Sequence, residues 1–237
     1  MNSDIVLYNF ETVLGKFEIP IDNSLIPLNE ATKNSISNAW EECAVFDEYG
    51  RVWIISDKIH VLLRTSKENA KYIIGGISDN NKYRDGDILY IRGSEIYKIL
   101  DETLQNARSF RRENYIRFSE LFYRAIRDSD RGCLLRTAFY EHLNRTIGSL
   151  KQKRIKSFAL EHDELTGELL EYQNCEFSHI RSVSLFPQFA SLIENGLIVN
   201  KKTHEEITRY NINDEDELYN LCELKGWSLE WYKGYLK

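Results

Sequence analysis

The sequence predicts an α+β chain built from a small N-terminal antiparallel sheet with helices, a basic helical middle and a C-terminal strand–strand–helix module. Three observations carry this. Short β-branched and aromatic runs, broken by turn residues, fill much of the first hundred positions. Apolar residues then recur at spacings of three and four between 106 and 156. Strand-like runs return after 157, followed by a loop and helix signals. The expected segments are therefore 1–105, 106–156 and 157–237.

In the first segment, residues 4–19 and 44–93 read as strand-rich. Val52-Trp-Ile-Ile and His60-Val-Leu-Leu are apolar runs of strand length, set apart by turn residues from Tyr72-Ile-Ile and Ile88-Leu-Tyr-Ile. Ser78-Asp-Asn-Asn-Lys and Arg84-Asp-Gly-Asp read as turns, because Asn, Asp and Gly tolerate left-handed backbone. A helix is expected near 94–105.

In the second segment, Tyr115, Phe118, Leu121, Phe122 and Ile126 form one apolar stripe, and Leu135, Phe139, Leu143, Ile147 and Leu150 form another. These predict two amphipathic helices broken near Asp128-Ser-Asp-Arg-Gly. Lys151-Gln-Lys-Arg-Ile-Lys reads as a basic junction to the third segment. There, Leu169–Tyr172 and Cys175–Ile180 are strand-like, with Gln173-Asn174 as a tight turn between them. A short helix is expected from about Lys202. The last long helix starts at the acidic run Asp214-Glu-Asp-Glu, which suits the positive helix N-terminus, and stops at Lys225-Gly226.

Composition excludes several classes. The chain has 237 residues, 42% of them hydrophobic, and only three prolines, so it can bury a core unaided. It has no apolar run of transmembrane length, and Met1-Asn-Ser-Asp-Ile lacks signal-peptide features. A cytoplasmic protein with no membrane partner is the expectation. Cys43, Cys133, Cys175 and Cys222 show no CxxC spacing, which argues against a cysteine zinc knuckle and for free thiols. P-loop, dinucleotide-binding and GxSxG signatures are absent. His204-Glu-Glu-Ile-Thr begins like a zinc-protease HExxH but carries Thr208 in place of the second histidine.

The net charge of −6 is unevenly spread. Residues 1–105 hold 11 basic and 17 acidic side chains, 106–156 hold 13 and 5, and 157–237 hold 7 and 15. The middle is thus +8 between acidic flanks, a footprint for a polyanion. Arg108, Arg111, Arg112, Lys151, Lys153 and Arg154 are the candidate phosphate contacts.

Residues 163–208 hold four motifs in order: Asp163-Glu-Leu-Thr-Gly, Ser178-His-Ile, Asn195-Gly-Leu and His204. This run resembles the HNH nuclease family, in the branch that reads roughly C-x-x-T-G, then H-I, N-G-L and H. The likeness covers about a quarter of the chain. It implies a ββα-metal fold for the C-terminal module. It also implies a metal-dependent endonuclease of restriction or phage-defence type, acting on double-stranded DNA with Mg²⁺ or Mn²⁺. By that resemblance His179 is the general base, Asn195 braces the loop and orients the base, and His204 binds the metal.

The chemistry suits those residue types. An imidazole titrating near neutrality can take a proton from water, and a divalent ion neutralises the phosphate. The family pattern is incomplete here: Ser178 stands where many members carry a metal-binding Asp or His, and Thr208 where many carry a further ligand. Glu176 lies on the same strand face as Ser178 and is the expected replacement carboxylate, with Glu171 and Asp163 as alternatives. A homodimer would cut both strands. The alternative is a degenerate HNH fold that binds DNA or protein without cleaving. RNA is a third, weaker substrate expectation.

Overall fold

A computed structural model describes residues 8–13, 28–107 and 109–235. It is a mixed helix-and-sheet protein that divides into two compact units, 1–139 and 140–237. The basic stretch 106–156 is not a unit of its own. Its first helix belongs to the first unit, and its second runs across the division.

The first unit opens with β1 (Phe10–Thr12), α1 (Glu30–Cys43), β2 (Ala44–Asp47) and β3 (Val52–Ile55). Then come α2 (Ile59–Leu62), α3 (Lys67–Gly76), β4 (Lys82–Asp85), β5 (Ile88–Arg92), α4 (Gly93–Gln105) and α5 (Phe110–Arg127). The strands form one antiparallel sheet in the order β1-β2-β3-β5-β4. Asn29 caps α1, accepting from the Thr32 amide, and Ile36, Ala39, Trp40 and Cys43 form its buried face. That face meets Ile116, Phe118, Phe122 and Ile126 of α5, where the Trp40 indole N–H donates to Ser119 Oγ at 2.9 Å. At the β2–β3 turn the buried Asp47 carboxylate accepts from the Tyr49 and Arg51 amides, Arg51 Nε and Trp53 Nε1. Gly50 has φ 71°, and a Cβ there would lie 2.8 Å from the Gly132 carbonyl, so the turn needs glycine.

Two expected strands are helices. His60-Val-Leu-Leu lies in and just after α2, and Tyr72-Ile-Ile in α3. The spacing explains both. Ile59, Leu62 and Leu63 fall on one helical face and are fully buried, and Ser66 caps α3 by accepting from the Asn69 amide. Tyr72 is 83% exposed, so its β propensity meets no sheet to pack on.

In the second unit, the part of α6 (Asp130–Phe158) after residue 139 leads to β6 (Cys175–His179), β7 (Gly196–Asn200), α7 (Lys201–Arg209), α8 (Glu215–Lys225) and α9 (Glu230–Tyr235). β6 and β7 pair antiparallel from Cys175↔Asn200 to His179↔Gly196. One apolar cluster joins Ile180, Leu197 and Val199 to Ile207 of α7 and Leu218, Leu221 and Cys222 of α8. A separate one joins Cys175 and Ile198 to Leu170, with Ile155, Leu160 and Phe177 packed against it. Gly196 sits under the Phe177 ring, where any Cβ would clash. The last long helix keeps its expected bounds: Asp214 caps α8, and Gly226 ends it at φ 68°.

The expected hairpin between Leu169–Tyr172 and Cys175–Ile180 does not form. β6 pairs instead across the longer 180–195 loop, and Leu169 keeps one bridge, to His162. Residues 169–175 are tied by side chains in place of a ladder. Asn200 accepts from the Glu171 amide and donates to the Leu169 carbonyl, and Lys151 Nζ donates to the Tyr172 and Cys175 carbonyls. The four cysteines are unpaired, with Cys133 exposed and the others buried. Among the described residues no helix is long and apolar enough to cross a membrane.

Candidate functional site

The site is built on the β6–β7 hairpin. Asp163 holds its base. The carboxylate is 1% exposed and meets four donors. Oδ1 accepts from the Leu165 and Thr166 amides, each at 2.9 Å; Oδ2 accepts from the Asn200 amide and Thr203 Oγ, each at 2.7 Å. One side chain thus closes the 163–167 turn, ends β7 and starts α7. Its lone pairs are spent on this clasp, which removes Asp163 as a source of metal-binding oxygen.

The neighbouring Glu164 forms a bidentate pair with Arg154, at 2.8 and 2.7 Å, and accepts from the Ile198 amide. Arg154 also donates to the Ile193 carbonyl at 2.8 Å and is only 7% exposed. Expected as a phosphate contact, it is turned inward and holds the hairpin to α6. Lys151 is likewise engaged with carbonyls. Lys153, Arg111 and Arg112 are exposed, and Arg108 lies outside the described residues. Several arginines of the basic stretch pair locally: Arg117 with Glu113, Arg124 with Glu120, Arg127 with Asp128 and Arg145 with Glu141.

His179 ends β6. Its Nε2 lies 2.9 Å from the Ala190 carbonyl oxygen. A carbonyl only accepts, so Nε2 carries the hydrogen and Nδ1 of the neutral ring keeps its lone pair. The ring also packs edge-on against Phe177, centroids 5.0 Å apart. Burial pushes the His179 pKa below the ordinary histidine value. The Ala190 bond offsets part of that shift, and nearby His204 adds a little to it. The outcome is a neutral imidazole with a fixed tautomer.

Asn195 is 2% exposed and fixes the loop that carries Ala190. Its Nδ2 donates to the Arg181 and Phe189 carbonyls at 3.1 and 3.2 Å. Its Oδ1 accepts from the Arg181 amide at 3.0 Å and the Tyr235 hydroxyl at 3.1 Å, and its own carbonyl accepts from the Ile180 amide. Burial pushes the Tyr235 phenol up to about 12, which keeps it a donor. Arg181 pairs with Glu215 and packs over Phe186, Phe189 and Tyr235.

His204 stands on the first turn of α7, on the face that meets β6. Its Nδ1 lies 2.6 Å from Glu176 Oε2, with both side chains partly open to solvent. Glu176, expected as a replacement ligand, thus meets His204 itself. Ser178 is buried, 4% exposed, opposite Leu197. Thr208 Oγ donates to the His204 carbonyl within the helix. Glu171 lies exposed in the 169–175 turn. Among the described residues no three His, Cys, Asp or Glu side chains cluster to hold a metal.

The structure therefore places His179, Asn195, His204 and Glu176 in one unit, with Ser178 buried on β6 between Glu176 and His179. Sequence reasoning missed the Ala190 carbonyl, Arg181 and Tyr235. A backbone acceptor leaves no trace in residue identity, and the other two come from outside the four motifs. It also passed over Lys201 and Lys202, exposed on the turn that carries His204. No family model, curated protein or solved structure matches this chain.

Proposed function

We propose that the second unit is an HNH-type ββα-metal module that hydrolyses phosphodiester bonds of double-stranded DNA, in a restriction or phage-defence setting. The observation that carries this is the His179 Nε2–H···O=C Ala190 bond, which leaves Nδ1 as a base of fixed tautomer. In this reading Nδ1 takes a proton from water as the water attacks phosphorus. Asn195 keeps the loop, and hence the ring, in register. Exposed Lys201 and Lys202 and the positive end of α7 favour the incoming phosphate.

On this reading His204 would be the protein group nearest a divalent ion, and because hard ions prefer oxygen and no three ligating side chains cluster among the described residues, phosphate and water would have to fill most of its shell. When bound, Mg²⁺ or Mn²⁺ supplies charge neutralisation and stabilises the leaving 3′ oxygen. A second reading has one observation in its favour, the lack of a three-ligand cluster among the described residues. On that reading the module binds DNA or protein without cutting. Plasmid nicking with Mg²⁺, Mn²⁺ or EDTA separates the two. Metal-dependent nicks lost in His179→Ala support the nuclease; intact plasmid at high protein, with metal present, supports the binding module.

A further inference from the structure

We infer that the first unit carries a nucleotide-binding cleft between α3 and the sheet edge formed by β4 and β5, with Lys71, Lys82 and Arg84 as its phosphate contacts. The inference is independent of the nuclease reading, which concerns the second unit. The cleft has a volume of about 480 Å³ and is lined by these three cations together with Ile74, Asp79 and Leu89. Small-molecule sites run from roughly 300 to 1,000 Å³, so a nucleotide-sized ligand fits.

The strand register puts the cations there. β4 lies at the edge of the sheet, paired with β5. Successive side chains of a strand point to opposite faces, so Lys82 and Arg84 share one face and Tyr83 takes the other. Tyr83 packs there with Tyr8, Phe10 and Tyr90. Leu89, opposite Arg84 in the ladder, and Ile74 of α3 supply apolar surface among the charges. Lys71 stands one turn before Ile74 on the same helix.

The local charge runs against its surroundings. Residues 1–105 hold 11 basic and 17 acidic side chains, yet the cleft gathers three cations and one acid. That acid is a weak counter-ion. Asp79 is fully exposed and lies 3.4 Å from Lys82 Nζ, whose side chain is 17% exposed. Exposed pairs of this kind contribute little. Lys71 and Arg84 make no ion pair with a described acidic side chain. Like charges gathered in a cleft focus its field and attract an anion. The planar Arg84 fork and two ammonium groups suit phosphate oxygens. A bare anion would leave Ile74 and Leu89 uncovered, whereas the sugar or base of a nucleotide covers them.

The test uses the full chain in EDTA, so that no metal-dependent cleavage occurs. Calorimetry follows titration with ATP, AMP, inorganic phosphate and a short DNA duplex. We expect ATP to bind more tightly than AMP, and AMP more tightly than inorganic phosphate. Lys71→Gln, Lys82→Gln and Arg84→Gln should each weaken ATP binding by up to about 5-fold. Lys71→Gln and Arg84→Gln combined should weaken it by roughly the product of the two. Asp79→Asn removes the competing carboxylate and should tighten ATP binding, a gain that a folding defect does not mimic. Lys67→Gln, at an exposed cation of α3 outside the cleft, should leave the affinity unchanged. Wild type that binds no ATP, unchanged affinity in the double variant, or weaker binding in Asp79→Asn overturns the inference. A loss in Lys67→Gln equal to that in Lys71→Gln does so as well. Duplex affinity that falls in the cleft variants while ATP does not bind also overturns it, and makes the cleft a contact for the DNA backbone.

Discussion

Two sets of polar side chains hang on the same β6–β7 hairpin, and they are finished to different degrees. In one set, Asp163, Glu164, Arg154 and Asn195 spend their hydrogen-bonding capacity inside the protein. In the other, His179 commits one ring nitrogen and leaves the second without a protein partner among the described residues, and His204 stands partly open to solvent beside Glu176. Buried polar groups are costly unless paired, so the first set reads as framework. A half-committed imidazole near solvent is oriented at no such cost and still holds a lone pair for chemistry. Net charge alone does not draw this distinction: Arg154 and Lys153 are neighbours in one basic run, yet one is a buried clasp and the other is exposed.

Breaking the framework should have the largest effect. Arg154→Ala leaves Glu164 as an unpaired carboxylate in the hairpin, and we expect a loss of about 3–5 kcal/mol in unfolding of the second unit, read by denaturant titration. Asp163→Ala strands buried donors and should cost about 3 kcal/mol. Ser178→Ala, by contrast, should stay within about 1 kcal/mol. A stable Arg154→Ala that instead loses DNA affinity would return Arg154 to the phosphate-binding set.

The brace and the chemistry meet at Asn195. Asn195→Ala should cost about 1–3 kcal/mol of stability and lower cleavage by up to about 10²-fold in the protein that still folds, because a small misplacement of a base is that damaging. Tyr235→Phe removes one of the two donors to Asn195 Oδ1 and should act in the same direction, more weakly. Equal stability and equal rates in both variants would remove Asn195 from the positioning role. The smallest effect is expected on the surface. Reversing Arg111, Arg112 and Lys153 should reduce the salt dependence of DNA binding, lowering the slope by up to about one for each phosphate no longer neutralised. An unchanged slope would put the polyanion elsewhere, with Lys201 and Lys202 next to be tested.

The framework was only partly legible in the sequence. The α5 stripe, the break before α6 and the caps of α8 follow from periodicity and end signals, which are local. The α2 and α3 segments misled because short apolar runs fit either period, and Ser66 and the burial of Ile59 decide the matter only in three dimensions. The β6 partner was hidden for a related reason: β7 lies beyond a loop that looks like an interruption. At the site, motif spacing marked His179, Asn195 and His204. It said nothing of Ala190, whose contribution is a backbone oxygen, and a strand face alone does not reveal that a helix brings His204 within 2.6 Å of Glu176. The basic count also did not reveal that Arg154 is bound to Glu164 and Lys151 to backbone carbonyls.

The central claim is that His179 is a neutral, oriented base. Single-turnover cleavage of plasmid DNA with saturating Mn²⁺, measured against pH for wild type and His179→Ala, tests it most directly. Burial lowers the His179 pKa, so the neutral form persists as pH falls below the ordinary histidine value of about 6.5. The wild-type rate should therefore hold through neutral pH and drop only on the acid side of that value. His179→Ala should be roughly 10²- to 10⁴-fold slower, lack that acid limb and remain folded. A variant that cuts at the wild-type rate with the wild-type pH profile would contradict the account.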